Sequence, residues 1–185
     1  MPSEPQTSGL RTVGPADLPE VVSIFLDCWM LSYRAAMPAS LVERMTPAYA
    51  ESLWREGLAD ARTDHVGAED GDGRLVGFVG FRLLDDGTGY VSSLYVSPTA
   101  QGGGHGRRLL TASERALAEQ GAVSARLWVF EQNAPSRAFY ERAGWLPDGR
   151  RETLPEWGVP QLGLTKALAS AAGAAGAPAP LDGRQ

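Results

Sequence analysis

A glycine-rich stretch, Gln101-Gly-Gly-Gly-His-Gly106, carries the clearest chemical signal in the sequence. It follows an apolar run that ends at Pro98, and it leads directly into residues with the spacing of an amphipathic helix. The first N–H groups of a helix lack partners within the helix, and the helix dipole places partial positive charge there. Because glycines also let a ligand approach the backbone closely, this stretch predicts a site for an anion such as phosphate.

Two common phosphate-binding motifs do not fit this stretch. A P-loop ends in Gly-Lys-Ser/Thr, whereas here Gly106 is followed by Arg107 and Arg108. A dinucleotide fingerprint needs the spacing G-x-G-x-x-G and an acidic residue about 20 residues further on, but the glycines are spaced differently and Glu131 lies too far away. Two interpretations remain: another kind of phosphate site, or glycines that only make a tight connection between a strand and a helix.

A second motif lies downstream, in Asn133-Ala-Pro-Ser-Arg-Ala-Phe-Tyr140. Asn133 is suited to the start of a helix, because its side-chain oxygen can accept a backbone N–H there. Tyr140 falls on the same helix, and a phenol with an ordinary pKa of about 10 can donate a proton to a ligand. The alternative is that Tyr140 is a buried aromatic residue whose hydroxyl is satisfied within the protein.

Together, the two motifs resemble those of the GCN5-related N-acetyltransferases, the GNAT superfamily, in its bacterial form. The glycine-rich stretch matches the pyrophosphate-binding signature Q/R-x-x-G-x-G/A, and Leu94-Tyr-Val96 with Pro98 resembles the end of that fold's fourth strand. The Asn133–Tyr140 motif, with Gly144-Trp145 after it, resembles the second family motif. The resemblance covers about residues 10–167. It implies an α/β (α+β) fold, the GNAT fold, with a mixed, twisted sheet of six or seven strands, splayed between the fourth and fifth, and helices on both faces.

The resemblance also implies a role for each part of these motifs. The backbone of residues 94–96 would pair with the pantetheine arm of acetyl-CoA, and the Val96 N–H would stabilise the oxyanion of the tetrahedral intermediate. Tyr140 would protonate the leaving thiolate. For His105 we expect the backbone N–H to bind the cofactor and the side chain to be exposed. The residues implied to contact the cofactor are Leu94, Tyr95, Val96, Gln101, Gly102, Gly103, Gly104, His105, Gly106, Arg107 and Asn133.

The site for the acetyl acceptor is less well defined. Trp29 and Tyr33 lie on one predicted helix, where core packing is the alternative role, and Trp128 and Glu131 lie in and just after a predicted strand. We take these four residues as candidates for contact with the substrate. Many members of the superfamily carry a glutamate base in the fourth or fifth strand, but residues 90–93 and 127–129 contain no carboxylate. Glu131 is the nearest one, so the general base is not identified.

Hydrophobic spacing indicates the elements that position these residues. An amphipathic helix is predicted from residue 17 to about 36, a further helical stretch to about 59, and two more helices that end near 121 and 143. The domain is predicted to span residues 10–168, between disordered segments at 1–9 and 169–185. Strands are predicted at 10–13, 65–69, 75–84, 90–96, 125–130, 145–149 and 159–166.

The composition limits the possible functions. The chain has 185 residues, suited to one domain, and its net charge of −5 argues against broad binding to DNA or RNA. A single cysteine, Cys28, excludes a disulfide within the chain, and two distant histidines give no metal-ligand spacing. No apolar run approaches the roughly 20 residues of a membrane span. We therefore expect a cytoplasmic monomer or homodimer that uses no metal and binds neither nucleic acid nor membrane.

These observations lead to a functional expectation with stated alternatives. We expect an acyl-CoA-dependent N-acetyltransferase that moves an acetyl group from acetyl-CoA to a primary amine of a small molecule, by direct attack in a ternary complex. Within the same class, the alternative is acetylation of a protein N-terminus or a lysine. From other classes, the alternatives are a non-catalytic acyl-CoA-binding module and a protein that binds ATP or NAD.

Overall fold

The computed structural model describes residues 9–34, 37–155 and 157–169. The segments 1–9 and 169–185, predicted to be disordered, lie outside this description apart from Gly9 and Ala169. The helices are α1 (Leu18–Asp27), α2 (Ala39–Arg44), α3 (Pro47–Ala59), α4 (His105–Glu119) and α5 (Ala134–Arg142). The strands are β1 (Leu10–Thr12), β2 (Asp64–Glu69), β3 (Leu75–Leu83), β4 (Gly89–Val96), β5 (Ser124–Phe130), β6 (Leu146–Thr153) and β7 (Pro160–Ala167).

The strands of the described residues form one seven-stranded sheet in the order β1-β2-β3-β4-β5-β7-β6. Neighbouring strands are antiparallel except β4 and β5, which are parallel, so the sheet is mixed. The helix α4 makes the crossover that a parallel pair requires. The predicted α/β architecture, with six or seven strands in a mixed sheet, is confirmed.

Helices cover both faces of the sheet, as predicted. Consecutive residues of β3 show the alternation: Phe78 packs into a cluster with α1, α2 and α3, whereas Val79 packs with α4 and α5. Phe78 and Val79 are both fully buried, because a central strand with helices on each side has no solvent face. The two resulting cores hold β4 and β5 from both sides.

The first helix departs from the prediction. An uninterrupted α-helix to about residue 36 was expected, but regular α-helix ends at Asp27 and a π-helical turn follows over Cys28–Tyr33. The wider turn places Cys28 and Trp29 in the core. Single π-helical turns occur frequently at functional sites, and this one borders the open part of the sheet.

Candidate active site

The sheet opens into a wedge between β4 and β5. Their pairing is confined to Gly89 with Ala125 and Tyr90 with Arg126, after which the two strands separate. A bulge lies at the same level, where β4 gains one residue, Ser92, against the Gly80–Phe81 step of β3. A bulge bends the strand that carries it and ends regular pairing, which accounts for the opening at this position. The expected splay between the fourth and fifth strands is therefore present.

The last residues of β4 have backbone groups without a strand partner. The Ser97 N–H donates to the Val76 carbonyl at 2.8 Å, on the β3 side. Since the backbone groups of a strand alternate in direction, those of Leu94 and Val96 point the other way, into the wedge. A ligand lying along β4 can therefore bind them as a further strand would.

One of these groups is already occupied within the protein. The Val96 carbonyl accepts from the Gln101 side-chain amide at 3.0 Å and from the Cys28 thiol at 3.2 Å. Both groups of Leu94 and the Val96 N–H remain for a ligand. Gln101, predicted to contact the cofactor, thus also fastens the glycine turn to the end of β4.

The glycine turn, residues 101–106, has the local geometry that a phosphate site needs. Gly102 and Gly104 adopt φ values of +83° and +81°, which side chains with a Cβ rarely adopt. A Cβ at either position would have no protein atom within 4 Å, so both face open space. The helix α4 starts immediately afterwards at His105, with its first N–H groups at this opening.

A cavity of about 650 Å³ lies between the glycine turn, β4 and α5, and we call it the glycine-turn cavity. Gly103, predicted as a contact, does not line it; a Cβ there would stand 3.2 Å from the His105 ring. Arg107 and Arg142 add two cationic side chains to the lining. The predicted cofactor residues that line it are Leu94, Tyr95, Val96, Gln101, Gly102, Gly104, His105, Gly106, Arg107 and Asn133.

The side chain of His105 is not exposed as expected. It is half-buried, and its Nδ1 atom is inaccessible and has no hydrogen-bond partner among the described residues. The ring packs beside Gly103, where the absence of a Cβ leaves room for it. The sequence did not show this, because the turn folds back over its own first helical residue.

Asn133 joins the start of α5 to the helical side of the wedge. Its side-chain oxygen accepts the Ser136 N–H at 3.1 Å, which is the predicted cap. The side chain of Tyr33 lies near Ser136 and Asn133, and all three residues line the glycine-turn cavity. Burial raises the pKa of Tyr33 above its ordinary value, so its hydroxyl group stays protonated. Ser136 was not identified from the sequence, where it reads as an ordinary first-turn residue.

Tyr140 lies at the centre of the wedge. The residue is buried, and its hydroxyl makes no hydrogen bond with the described residues. Burial, with a smaller contribution from Tyr33, raises the pKa of the Tyr140 phenol above its ordinary value. The phenol is therefore uncharged at neutral pH and has a proton to donate, and the alternative of an internally satisfied hydroxyl is not what the structure contains.

A second cavity, of about 350 Å³, lies on the other side of Tyr140, and we call it the aromatic cavity. Three of the four residues predicted to contact the substrate line it: Trp29, Tyr33 and Trp128. Tyr140 lines both cavities. The fourth predicted residue, Glu131, does not line either; its carboxylate lies 2.8 Å from the Arg151 guanidinium, at the exposed end of β5.

Several residues of the aromatic cavity were not predicted. Trp157 stacks on Trp29, with ring centroids 6.1 Å apart and planes inclined by 16°. Glu152 and Gln161 face each other across the β6–β7 pair and both line the cavity. Nothing in the spacing of the sequence after residue 149 singles out these side chains.

Two further features of the described residues bear on function. Among residues 9–34, 37–155 and 157–169, no group of three or more His, Cys, Asp or Glu side chains is placed to hold a metal ion. None of the helices in this part of the chain has the length and apolar character needed to cross a membrane.

Three features of the site are those of an acetyltransferase: the wedge between β4 and β5, the glycine turn at the start of α4, and Tyr140 between the two cavities. The model of the acetyltransferase (GNAT) family matches residues 19–145. The chain belongs to this family, and the resemblance inferred from its two motifs is confirmed.

Individual relatives support the same class. A mycothiol acetyltransferase of Beutenbergia cavernae is 38% identical over 79 residues, which are 43% of this chain and 27% of that protein. One from Tsukamurella paurometabola is 29% identical over 149 residues, 78% of this chain and 50% of that protein. The chain thus spans between about a quarter and a half of the length of these mycothiol acetyltransferases.

Solved structures share the fold. The PaiA N-acetyltransferase of Thermoplasma acidophilum, solved in complex with coenzyme A, superposes with a TM-score of 0.73 at 19% identity, over 87% of this chain and 99% of that one. A GCN5-related N-acetyltransferase of Rhodopseudomonas palustris gives 0.73 at 20% identity, over 90% and 99%. At this identity the likeness concerns the fold alone.

Proposed function

We propose that the protein transfers the acetyl group of acetyl-CoA to a primary amine of a small molecule, with both substrates bound at the same time. The observation that carries this proposal is the position of Tyr140, which lines the glycine-turn cavity on one side and the aromatic cavity on the other. A donor and an acceptor that fill these cavities would meet at its hydroxyl group.

The residues of the glycine-turn cavity fit acetyl-CoA. Gly102 and Gly104 leave open space next to the first N–H groups of α4, which suits the pyrophosphate. Arg107 and Arg142 supply positive charge at the same end. The free backbone groups of Leu94 and the Val96 N–H suit the amides of the pantetheine arm.

The chemistry follows from these positions. An acetyl thioester supplies an activated acyl group. The Val96 N–H is the donor available to its carbonyl oxygen, where negative charge develops when an amine attacks. The Tyr140 hydroxyl, which no described residue engages, can donate to the departing sulfur.

Direct attack by the amine is favoured over a covalent intermediate on the protein. The only cysteine, Cys28, is buried and donates its thiol to the Val96 carbonyl at 3.2 Å. Burial raises the pKa of this thiol to about 12, so almost no thiolate exists at neutral pH. A cysteine in this state is a poor nucleophile.

The amine must lose its proton before it attacks. The described lining of the glycine-turn cavity contains no carboxylate, and that of the aromatic cavity contains one, Glu152 of β6. The absence of a glutamate from the open end of β4 and from β5 therefore supports an acceptor that arrives neutral or loses its proton to water. The rate should then rise with pH toward the pKa of the acceptor amine itself.

A small molecule is favoured over a protein as the acceptor. The aromatic cavity, at about 350 Å³, is at the lower end of the range of small-molecule sites, roughly 300–1,000 Å³. Acetylation of a protein N-terminus or of a lysine would need only the end of a chain to enter, and it is the alternative for which a panel of amines should include short peptides.

The donor half of the proposal is tested by replacing Gly104 with alanine. The Gly104→Ala side chain meets no protein atom but occupies the space assigned to the pyrophosphate, at a φ unfavourable for alanine. We expect the affinity for coenzyme A, measured by calorimetry, to fall at least about tenfold, or 1.4 kcal/mol.

Gly87→Ala is the matched control. Gly87 has a φ of +78° and also no atom near its Cβ position, but it lies in the β3–β4 turn away from the cavity. Both variants should lose a similar stability, about 1–2 kcal/mol, and only Gly104→Ala should lose affinity. Equal affinities in two folded variants would remove the assignment of the glycine turn to the pyrophosphate.

A further inference from the structure

The aromatic cavity contains one charged side chain among its described lining residues, Glu152 of β6. Glu152 is partly buried, and its carboxylate makes no hydrogen bond or ion pair with the described residues. The neighbour along the chain, Arg151, is turned to the outer side of the strand and pairs with Glu131 at 2.8 Å. Removing a carboxylate from water is costly without a cation, so Glu152 is a group that a ligand can satisfy.

Other charged side chains near this end of the cavity lie in ion pairs. Three arginines lie with Glu152 around the Tyr90 phenol, and each is paired with an aspartate. The pairs are Arg82 with Asp60 (3.7 Å), Arg126 with Asp86 (3.5 Å) and Arg150 with Asp148 (2.8 Å). Asp60 also pairs with Arg62 at 3.1 Å, so these charged groups all have partners, whereas Glu152, which lines the cavity itself, has none among the described residues.

Gln161 is a second polar side chain of this end of the cavity. It stands opposite Glu152 in the β6–β7 register, is 8% exposed and lines the same cavity. Its amide nitrogen is inaccessible and has no hydrogen-bond partner among the described residues. A buried amide group without a partner is unfavourable by about 1–3 kcal/mol. Because this nitrogen is a donor, only an acceptor atom of a ligand can satisfy it, and an ammonium group cannot.

The walls of the cavity are aromatic. Phe130 packs edge-on against both Trp29 and Trp157, at centroid distances of 6.1 and 6.0 Å. One face of Trp128 is covered by the Arg150 guanidinium at 4.7 Å, which shows that this ring already binds a cation on its outer side. Aromatic rings around a single carboxylate are suited to an alkylammonium group, since they bind both its charge and its carbon chain.

We propose that the acceptor is a small diamine or polyamine-like molecule that carries a second cationic group, and that Glu152 binds this distal group. The reacting amine lies at the Tyr140 end of the aromatic cavity and must be neutral to attack. The distal ammonium lies against Glu152 and remains charged. This proposal rests on the proposed acetyl transfer and specifies the substrate class for the same site.

The test compares two acceptors that differ only in the distal group. A straight-chain diamine has an ammonium where the amino alcohol of the same length has a hydroxyl. The amino alcohol keeps the length and polarity but not the charge. We expect the wild-type protein to acetylate the diamine with a kcat/KM at least about tenfold higher, after correction for the fraction of neutral reacting amine.

Glu152→Gln keeps the size of the side chain and removes its charge. It should lower kcat/KM for the diamine at least about tenfold and change that for the amino alcohol by less than about twofold. Glu131→Gln, a matched change outside the cavity, should affect neither acceptor. Coenzyme A affinity and melting temperature should be the same in all three proteins, which shows that the fold and donor cavity are intact.

The outcomes separate this proposal from the proposed function. If Glu152→Gln slows both acceptors equally, Glu152 is a general base or a structural residue, and the proposal is overturned. Equal efficiency of diamine and amino alcohol in the wild-type protein overturns it as well. Calorimetry of the diamine with the coenzyme A complex measures binding without turnover. If the diamine binds in a way that depends on Glu152 but is not acetylated, Glu152 remains a recognition residue and the proposed acetyl transfer is refuted.

Discussion

Replacing Tyr140 with phenylalanine removes one hydroxyl at the junction of the two cavities and keeps the aromatic ring. The ring contacts with Phe139 and Trp145, at centroid distances of 5.2 and 6.2 Å, remain in the variant. The lost hydroxyl makes no hydrogen bond with the described residues. Tyr140→Phe should therefore fold normally and melt at the temperature of the wild-type protein.

The expected loss of rate follows from the state of the phenol. Burial raises its pKa, whereas the thiol product has an ordinary pKa of about 8.5. The sulfur is thus the weaker base, and Tyr140 stabilises it mainly as a hydrogen-bond donor to a developing charge. Such a bond contributes about 1.5–3 kcal/mol, so kcat should fall roughly 10- to 150-fold. Most of this interval lies below the range for full general acid catalysis, roughly 100- to 10,000-fold.

The assay measures free coenzyme A thiol at saturating acetyl-CoA, together with coenzyme A affinity by calorimetry. Tyr140→Phe should lower kcat and leave the affinity unchanged within about twofold. Tyr49→Phe is the control, because Tyr49 is exposed on α3 and borders neither cavity. A folded Tyr140→Phe protein with a normal turnover number would refute the role of the phenol.

Two more predictions follow from side chains outside the reacting centre. Burial lowers the pKa of His65, so the unfolded chain binds a proton more readily than the folded one. The contribution of His65 to the free energy of unfolding is fully present above the ordinary pKa of about 6.5 and is lost as the pH falls below it. The melting temperature should drop more between about pH 7.5 and 5.5 in the wild-type protein than in His65→Gln, and an equal drop would show that another group is responsible. Glu131→Gln breaks only an exposed pair with Arg151, so kcat should stay within about twofold of the wild-type value; a hundredfold fall would show that Glu131 is the base after all.

The donor side of the site could be predicted because its information is local. The spacing of Gly102 and Gly104 is enough to set a turn at the start of α4, and the structure gives both residues the positive φ that only glycine adopts readily. Asn133 and Tyr140 lie on one short helix, so their separation fixes their relative placement. Gly103 was predicted with them although it does not line the glycine-turn cavity, because a motif does not show which side of a turn each residue faces.

The acceptor side depends on contacts between distant parts of the chain. Glu152 reaches the aromatic cavity because β6 pairs with β7 across a register shift between Pro147 and Arg151. Four residues of β6, from Pro147 to Arg151, span two of β7, from Leu164 to Leu162, so this irregularity decides which residue of β6 stands opposite Gln161. The sequence gives no sign of that shift, so Glu152 and its partner Gln161 could not be selected. Glu131 was selected by its proximity in sequence, but its carboxylate pairs with Arg151 instead.

Acetyl transfer is tested most directly by measuring both products in one reaction. The protein is incubated with acetyl-CoA and a diamine, and the released thiol and the acetylated amine are quantified together, with both substrate concentrations varied. We expect equal amounts of the two products and intersecting double-reciprocal lines, as for two substrates bound together. If the protein binds coenzyme A but releases no thiol with any amine or peptide in the panel, acetyl transfer is refuted and the protein is an acyl-CoA-binding module. If it binds ATP or NAD tightly and does not bind coenzyme A, the assignment of the donor site is refuted.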